Sequence, residues 1–89
     1  MRIEVSWRAG GTSDWMGHTE FQGYTVAARS NGDRELSVVC RDAEDVIIGA
    51  ALFARGQWMN MRVVEMPGDV AARERWLKWQ QSGSDPFNP

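Results

Sequence analysis

The chain has 89 residues, with ten Lys/Arg against twelve Asp/Glu and a formal net charge of −2. That length allows one domain around one modest core, and 43% hydrophobic with 25% charged residues excludes a disordered polymer. No apolar run approaches the roughly 20 residues of a membrane span, and residues 1–45 hold five Arg against eight Asp/Glu, which speaks against direct nucleic-acid binding by phosphate neutralisation.

In chain order, Ile3, Val5 and Trp7 alternate with Arg2, Glu4, Ser6 and Arg8, the pattern of a half-buried strand with one wet face. Residues 9–17 read as a loop, because Gly10-Gly11, Thr12-Ser13-Asp14 and Gly17 punctuate them; Trp15 and Met16 sit inside it. Residues 18–29 read as a second strand with Gly23 at a bulge or close approach. Asn31-Gly32 turns the chain. A three-residue loop 30–32, with Gly32 left-handed, pairs Val26 with Leu36 and Tyr24 with Val38, and places Tyr24, Val26, Leu36, Val38 and Cys40 on one face. Residues 35–41 form the third strand.

The spacing then predicts a helix over 42–55. Asp42 serves as N-cap, Glu44 and Asp45 oppose the helix dipole, and Gly56 ends it. Ala43, Val46, Ile47, Ala50, Ala51 and Ala54 recur at the interval of one helical face. Ile48, Leu52 and Phe53 fall off that stripe, so a second side needs cover from the C-terminal helix or from another chain. Residues 57–66 form a fourth strand, ended by Pro67-Gly68. Asp69 caps a last helix over 70–81, and residues 84–89 form a flexible tail after a domain spanning 1–83. The expected fold is therefore α+β: a mainly antiparallel four-stranded sheet with two helices, in the order β-β-β-α-β-α.

The residues carry no chemical signature. His18 is the sole histidine and lacks a ligand set, so no metal and no cofactor are expected. Ser13, Asp14 and His18 share a loop without a nucleophile elbow and read as turn formers. Gly10-Gly11-Thr12 lacks the Gly-Lys-Ser/Thr of a phosphate loop. The expectation is a non-enzymatic protein. Asp33, Glu35, Asp42, Glu44 and Asp45 form an acidic cluster, read either as caps or as a patch that meets a basic partner. Five tryptophans are many for so small a core, and exposed Trp is enriched at binding hot spots. The candidate protein-binding residues are Trp15, Trp79, Trp76, Asp14, Glu44 and Asp45. Trp76 and Trp79 also have a structural reading, as the core face of the last helix.

The unit Tyr24-Thr25-Val26, Asn31-Gly32, Leu36-Ser37-Val38-Val39, Ala43-Glu44-Asp45-Val46 and Ala50-Ala51-Leu52 resembles a layout of small phage-encoded proteins. In that layout a hairpin is followed by an alanine-rich helix opened by acidic residues. Several anti-CRISPR proteins are similar in this layout, in size and in acidity, and antitoxins with a HicB-like fold resemble it over the same stretch. The resemblance implies a stoichiometric inhibitor of a host protein or complex, working by steric masking. The alternative is an antitoxin-like or regulatory homodimer subunit. The lone Cys40 and the absence of a signal-peptide pattern at Met1-Arg2-Ile3-Glu4 place the chain in a reducing cytoplasm, that of the host cell if phage-encoded.

Overall fold

Alternation in the first strand seeds the core. The computed structural model describes residues 1–9 and 15–81. In β1 (Arg2–Ala9), Ile3 and Val5 are buried along one face with Met1 just before them, while Arg2, Glu4, Ser6 and Arg8 take the other face. Antiparallel partners flank it on both sides: β2 (Trp15–Gln22) and β6 (Trp58–Glu65) give a three-stranded sheet in the order β2-β1-β6. Register keeps like with like. Ile3 faces Phe21 and Val63, Val5 faces Thr19 and Met61, and on the wet face Glu4 lies between Glu20 and Arg62. Arg2 reaches Glu20 at 2.9 Å and Glu65 at 2.8 Å, tying all three strands together at their exposed end.

The second sheet is a meander, β3 (Thr25–Ser30), β4 (Leu36–Arg41) and β5 (Ile47–Phe53), in that spatial order. Val26, Ala28, Leu36, Val38 and Cys40 meet Met1, Ile3 and Val5 to form one core, with Phe21, Phe53, Trp58, Met61, Val63 and Trp76 packed around it. Each fully buried Val, Leu or Ile here contributes roughly 1.5–3 kcal/mol.

The helix α1 (Val70–Gln81) lies along β3. The Asp69 carboxylate caps it, accepting from the Ala72 N–H at 2.7 Å, and Ala72 is fully buried. The Gln80 side chain donates to the Ala28 carbonyl at 2.6 Å and accepts from the Ala28 N–H at 3.0 Å. The outward-facing edge of β3 is thereby bonded to the helix.

Among the described residues, six strands in two sheets and one helix replace the expected four strands in one sheet and two helices. Two misreadings account for the difference. First, the segment 18–29 is two strands: β2 ends at Gln22 and the chain crosses at Gly23 from one sheet to the other. A Cβ at Gly23 would lie 2.9 Å from the Arg41 carbonyl oxygen, so the crossing needs glycine. Second, the segment 42–55 is a turn followed by β5, not a helix. Val46-Ile47-Ile48 is β-branched, and Gly49 in a helix interior costs about 1 kcal/mol relative to Ala. Nine uncharged residues with one edge to pair fit a strand as well as they fit a helical stripe.

The hairpin register also differs from that expected. Val26 pairs with Cys40, Ala28 with Val38 and Ser30 with Leu36. Val26, Leu36, Val38 and Cys40 do share the inner face, joined by Ala28 rather than Tyr24. The left-handed residue of that loop is Arg34, at φ 59, not Gly32. The expected tail over 84–89 lies outside the described residues.

Candidate functional site: an apolar edge strand beside an arginine–tryptophan cleft

Two loops of one design set out the site. In the loop between β3 and β4, the Asn31 Oδ1 accepts from the N–H groups of Asp33 at 2.9 Å and Glu35 at 3.0 Å, and Arg34 is left-handed. In the loop between β4 and β5, the Asp42 Oδ1 accepts from Glu44 at 2.9 Å and Val46 at 3.0 Å, and Asp45 is left-handed at φ 67. The backbone N–H of the first residue bonds the carbonyl of the fifth in each: Asn31 to Glu35 at 3.1 Å and Asp42 to Val46 at 2.9 Å. A side-chain oxygen that satisfies two loop N–H groups fixes the turn. Beyond β5, Gly56 (φ 83) makes the tight return to β6, with Gln57 N–H bonded to the Ala54 carbonyl at 3.0 Å.

Between these turns β5 is an edge strand. Its inner face sets Gly49, Ala51 and Phe53 against Cys40, Val38 and Leu36, while α1 runs along β3 on the far side of β4. Ile47 is 46% exposed, Ile48 58% and Leu52 48%, with Val46 at 55%. From Val46 to Ala54 no residue is charged or hydrogen-bonding in its side chain.

At the β6 end of this strand lies an open cleft of about 440 Å³ lined by Ser30, Arg34, Arg55, Gly56, Trp58 and Met59. The Trp58 indole N–H donates to the Arg34 carbonyl at 2.8 Å, so the tryptophan both packs on the core and holds the arginine loop in place. Met59 is half exposed, and neither Arg34 nor Arg55 has an ion-pair partner among the described residues. Guanidinium groups beside an indole and a thioether are suited to carboxylate or backbone groups of another protein. Ser30 is the sole hydroxyl of the cleft and its neighbour there is the Asn31 carbonyl, so no base activates it. Among the described residues no group of three or more His, Cys, Asp or Glu is placed to hold a metal, and no helix is long and apolar enough to cross a membrane.

The residues singled out from sequence divide differently. Trp79 stacks on the guanidinium of buried Arg41, 3.7 Å from ring centroid to Cζ, and its indole N–H donates to Asp45 at 2.7 Å. Arg75 bonds the Ala43 carbonyl, so α1 clamps the acidic turn at two points. Trp76 packs against the core, its indole N–H buried without a partner among the described residues. Glu44 stands exposed at the turn. Trp15 enters β2 opposite Ala9 in the backbone register; Asp14 and the Trp15 side chain lie outside the described residues. His18 is exposed on β2. Burial pushes the Cys40 thiol above its ordinary range, the dominant cause, against a smaller opposing hydrogen bond from the Gln22 backbone. The sequence put Ile48 and Leu52 on a helix side needing cover from the last helix or another chain, and did not bring Arg34, Arg55, Trp58 and Met59 together as a cleft. The signal it offered was the uncharged run at 46–54, whose surplus apolar side called for cover.

No protein-family model, curated protein or solved structure matches the chain.

Proposed function

We propose that the protein is a non-enzymatic binding protein that acts by stoichiometric contact with another protein, through β5 and the adjoining Arg34–Arg55–Trp58 cleft. One observation carries this reading: a wholly uncharged edge strand with Ile47, Ile48 and Leu52 about half exposed, ending at two arginines without an ion-pair partner among the described residues, an indole and an exposed Met59. Arg, Trp and Met are the residue types enriched where interfaces hold their energy. The acidic turn at Asp42, Glu44 and Asp45 steers approach. Such a protein masks its target's surface, as an inhibitor carried by a phage or mobile element does to a host system in the cytoplasm. There the buried thiol of Cys40 stays reduced. A second reading, an antitoxin-like or regulatory homodimer subunit, draws support from the same open edge of β5.

The test is capture of a partner from host lysate by the immobilised protein, with the partner identified by mass spectrometry and its affinity then measured. Arg34→Glu and Met59→Ser, both on the surface, are expected to weaken binding at least about tenfold at unchanged melting temperature. Binding that neither variant alters would remove the cleft from the proposal.

A further inference from the structure

We propose that the open edge of β5 pairs with β5 of a second copy of this chain, antiparallel about a two-fold axis through Ala50. The proposal rests on reading β5 as a contact surface, and it names the occupant. An edge strand presents unpaired N–H and C=O groups, which single chains protect with charges, proline or a bulge. Over Ile47–Phe53 there is neither charge nor proline; the one irregularity in pairing with β4 leaves Ile48 as an extra residue on β5, where Cys40 pairs with Gly49 and Arg41 with Ile47, and Gly49–Phe53 pair without a break. The edge strands of the other sheet are protected, β2 by Glu20 and β6 by Arg62 and Glu65.

Symmetry about Ala50 sets Ile48 opposite Leu52, Gly49 opposite Ala51, and Ala50 opposite its own copy. Side chains alternate between faces, so Ile48, Ala50 and Leu52 of both copies gather on one face. Ile48 and Leu52, 58% and 48% exposed in the single chain, then cover each other. Charge obeys the same axis. The two-fold also brings the acidic turn before β5 in one copy, with exposed Glu44, to the same end as the turn after β5 in the other, with exposed Arg55, and repeats this at both ends. The acidic turn is held rigid by Trp79 and Arg75, and Arg55 has no ion-pair partner among the described residues. An isologous contact requires a surface complementary to itself, and β5 with its two turns is one: apolar at the centre, acidic at one end, basic at the other. Shifting the register by one residue would put Ile48 and Leu52 on opposite faces, so the pairing has one favoured alignment.

The experiment is light scattering of the full chain across micromolar concentrations, joined to cross-linking. Wild type is expected at twice the 10.0 kDa chain mass. Leu52→Lys should raise the dissociation constant at least about tenfold while circular dichroism and melting of the single chain stay native. Arg55→Glu should weaken the pair, and Glu44→Arg added to it should restore it. Ala50→Cys should oxidise to a covalent dimer, whereas Met16→Cys, on β2, should not. A single-chain mass throughout, a dimer indifferent to Leu52→Lys, or failure of Ala50→Cys to cross-link overturns the pairing. The two readings fall separately. A monomer whose partner capture still depends on Arg34 and Met59 keeps the function proposed above and loses the dimer; a β5-paired dimer whose partner capture ignores both residues does the reverse.

Discussion

Replacing Trp79 with alanine tests whether α1 is a structural clamp or a free binding face. The indole does two things that alanine cannot. Its N–H donates to the Asp45 carboxylate at 2.7 Å, and its ring covers the Arg41 guanidinium at 3.7 Å. A hydrogen bond to a charged group contributes about 1.5–3 kcal/mol, the lower part of that range applying to a half-buried site. A cation–π contact contributes about 0.5–2 kcal/mol, toward the upper end because Arg41 is only 4% exposed. Trp79→Ala should therefore cost about 2–4 kcal/mol, a large share of the 5–15 kcal/mol typical of a domain. For a domain of this size that is a fall in Tm of at least about 8 °C. Trp79→Phe keeps a ring over Arg41 and loses only the donor, so it should cost about half as much. Thermal and urea unfolding followed by far-ultraviolet circular dichroism measure both without depending on the tryptophan removed. A Tm for Trp79→Ala within about 2 °C of wild type would show that the clamp contributes nothing and that Trp79 is available to a partner.

Three further outcomes are expected. Arg34→Gly should raise Tm, because relieving a left-handed non-glycine residue at φ 59 returns roughly 0.5–1 kcal/mol after glycine's own entropy cost, while partner capture falls; a lower Tm would mean the arginine side chain supports its loop. Gly17→Ala should cost about 1–3 kcal/mol, because the new Cβ would lie 2.6 Å from the Trp7 ring and push it off its bond to Thr19 at 3.0 Å; the Trp7 indole resonance should move, and an unmoved resonance at native Tm would refute the contact. Stability should fall with alkalinity: burial raises the Cys40 thiol, so the unfolded chain loses its proton first, stability is whole below about pH 8.5 and declines as pH climbs through the raised value. Tyr24, raised first by desolvation and then by Asp69, adds a loss of the same sign above about pH 10, and Cys40→Ala should flatten the slope below that point.

What the sequence made legible were the elements whose pattern admits one period. The alternation of Ile3 and Val5 with Arg2 and Glu4 is strand and nothing else, and the Asp69 cap before 70–81 opens the observed helix. The stretch 42–55 admitted two periods, and its caps misled for a physical reason. An aspartate that accepts N–H groups a few residues on can open a helix or close a hairpin, and Asp42 accepts from Glu44 and Val46 in the second of these roles. The paired design of the Asn31 and Asp42 loops is visible in sequence only once the strands around them are known. The proposed contact surface was hidden for the same reason: Ile48 and Leu52 fall on a helix in the sequence pattern, and Arg34, Arg55 and Trp58 come together only when the ends of β3 and β5 and the start of β6 meet at one side of the molecule. That Trp79 and Asp45 meet follows from the chain's reversal at α1, which no local pattern encodes.

The Gln80 amide has a consequence for the size of any assembly. It supplies Ala28 with the donor and acceptor that a neighbouring strand would bring, yet a side chain has no further edge to hand on. The sheet of β3, β4 and β5 is thus terminated on one side and open on the other. A sheet open at both margins could recruit copy after copy and run on as a fibre. With one margin of this sheet stopped, the pairing proposed above would use up its other margin, and the sheet would close at two copies. The last turn of α1, through Gln80, would thereby limit that pairing to two copies.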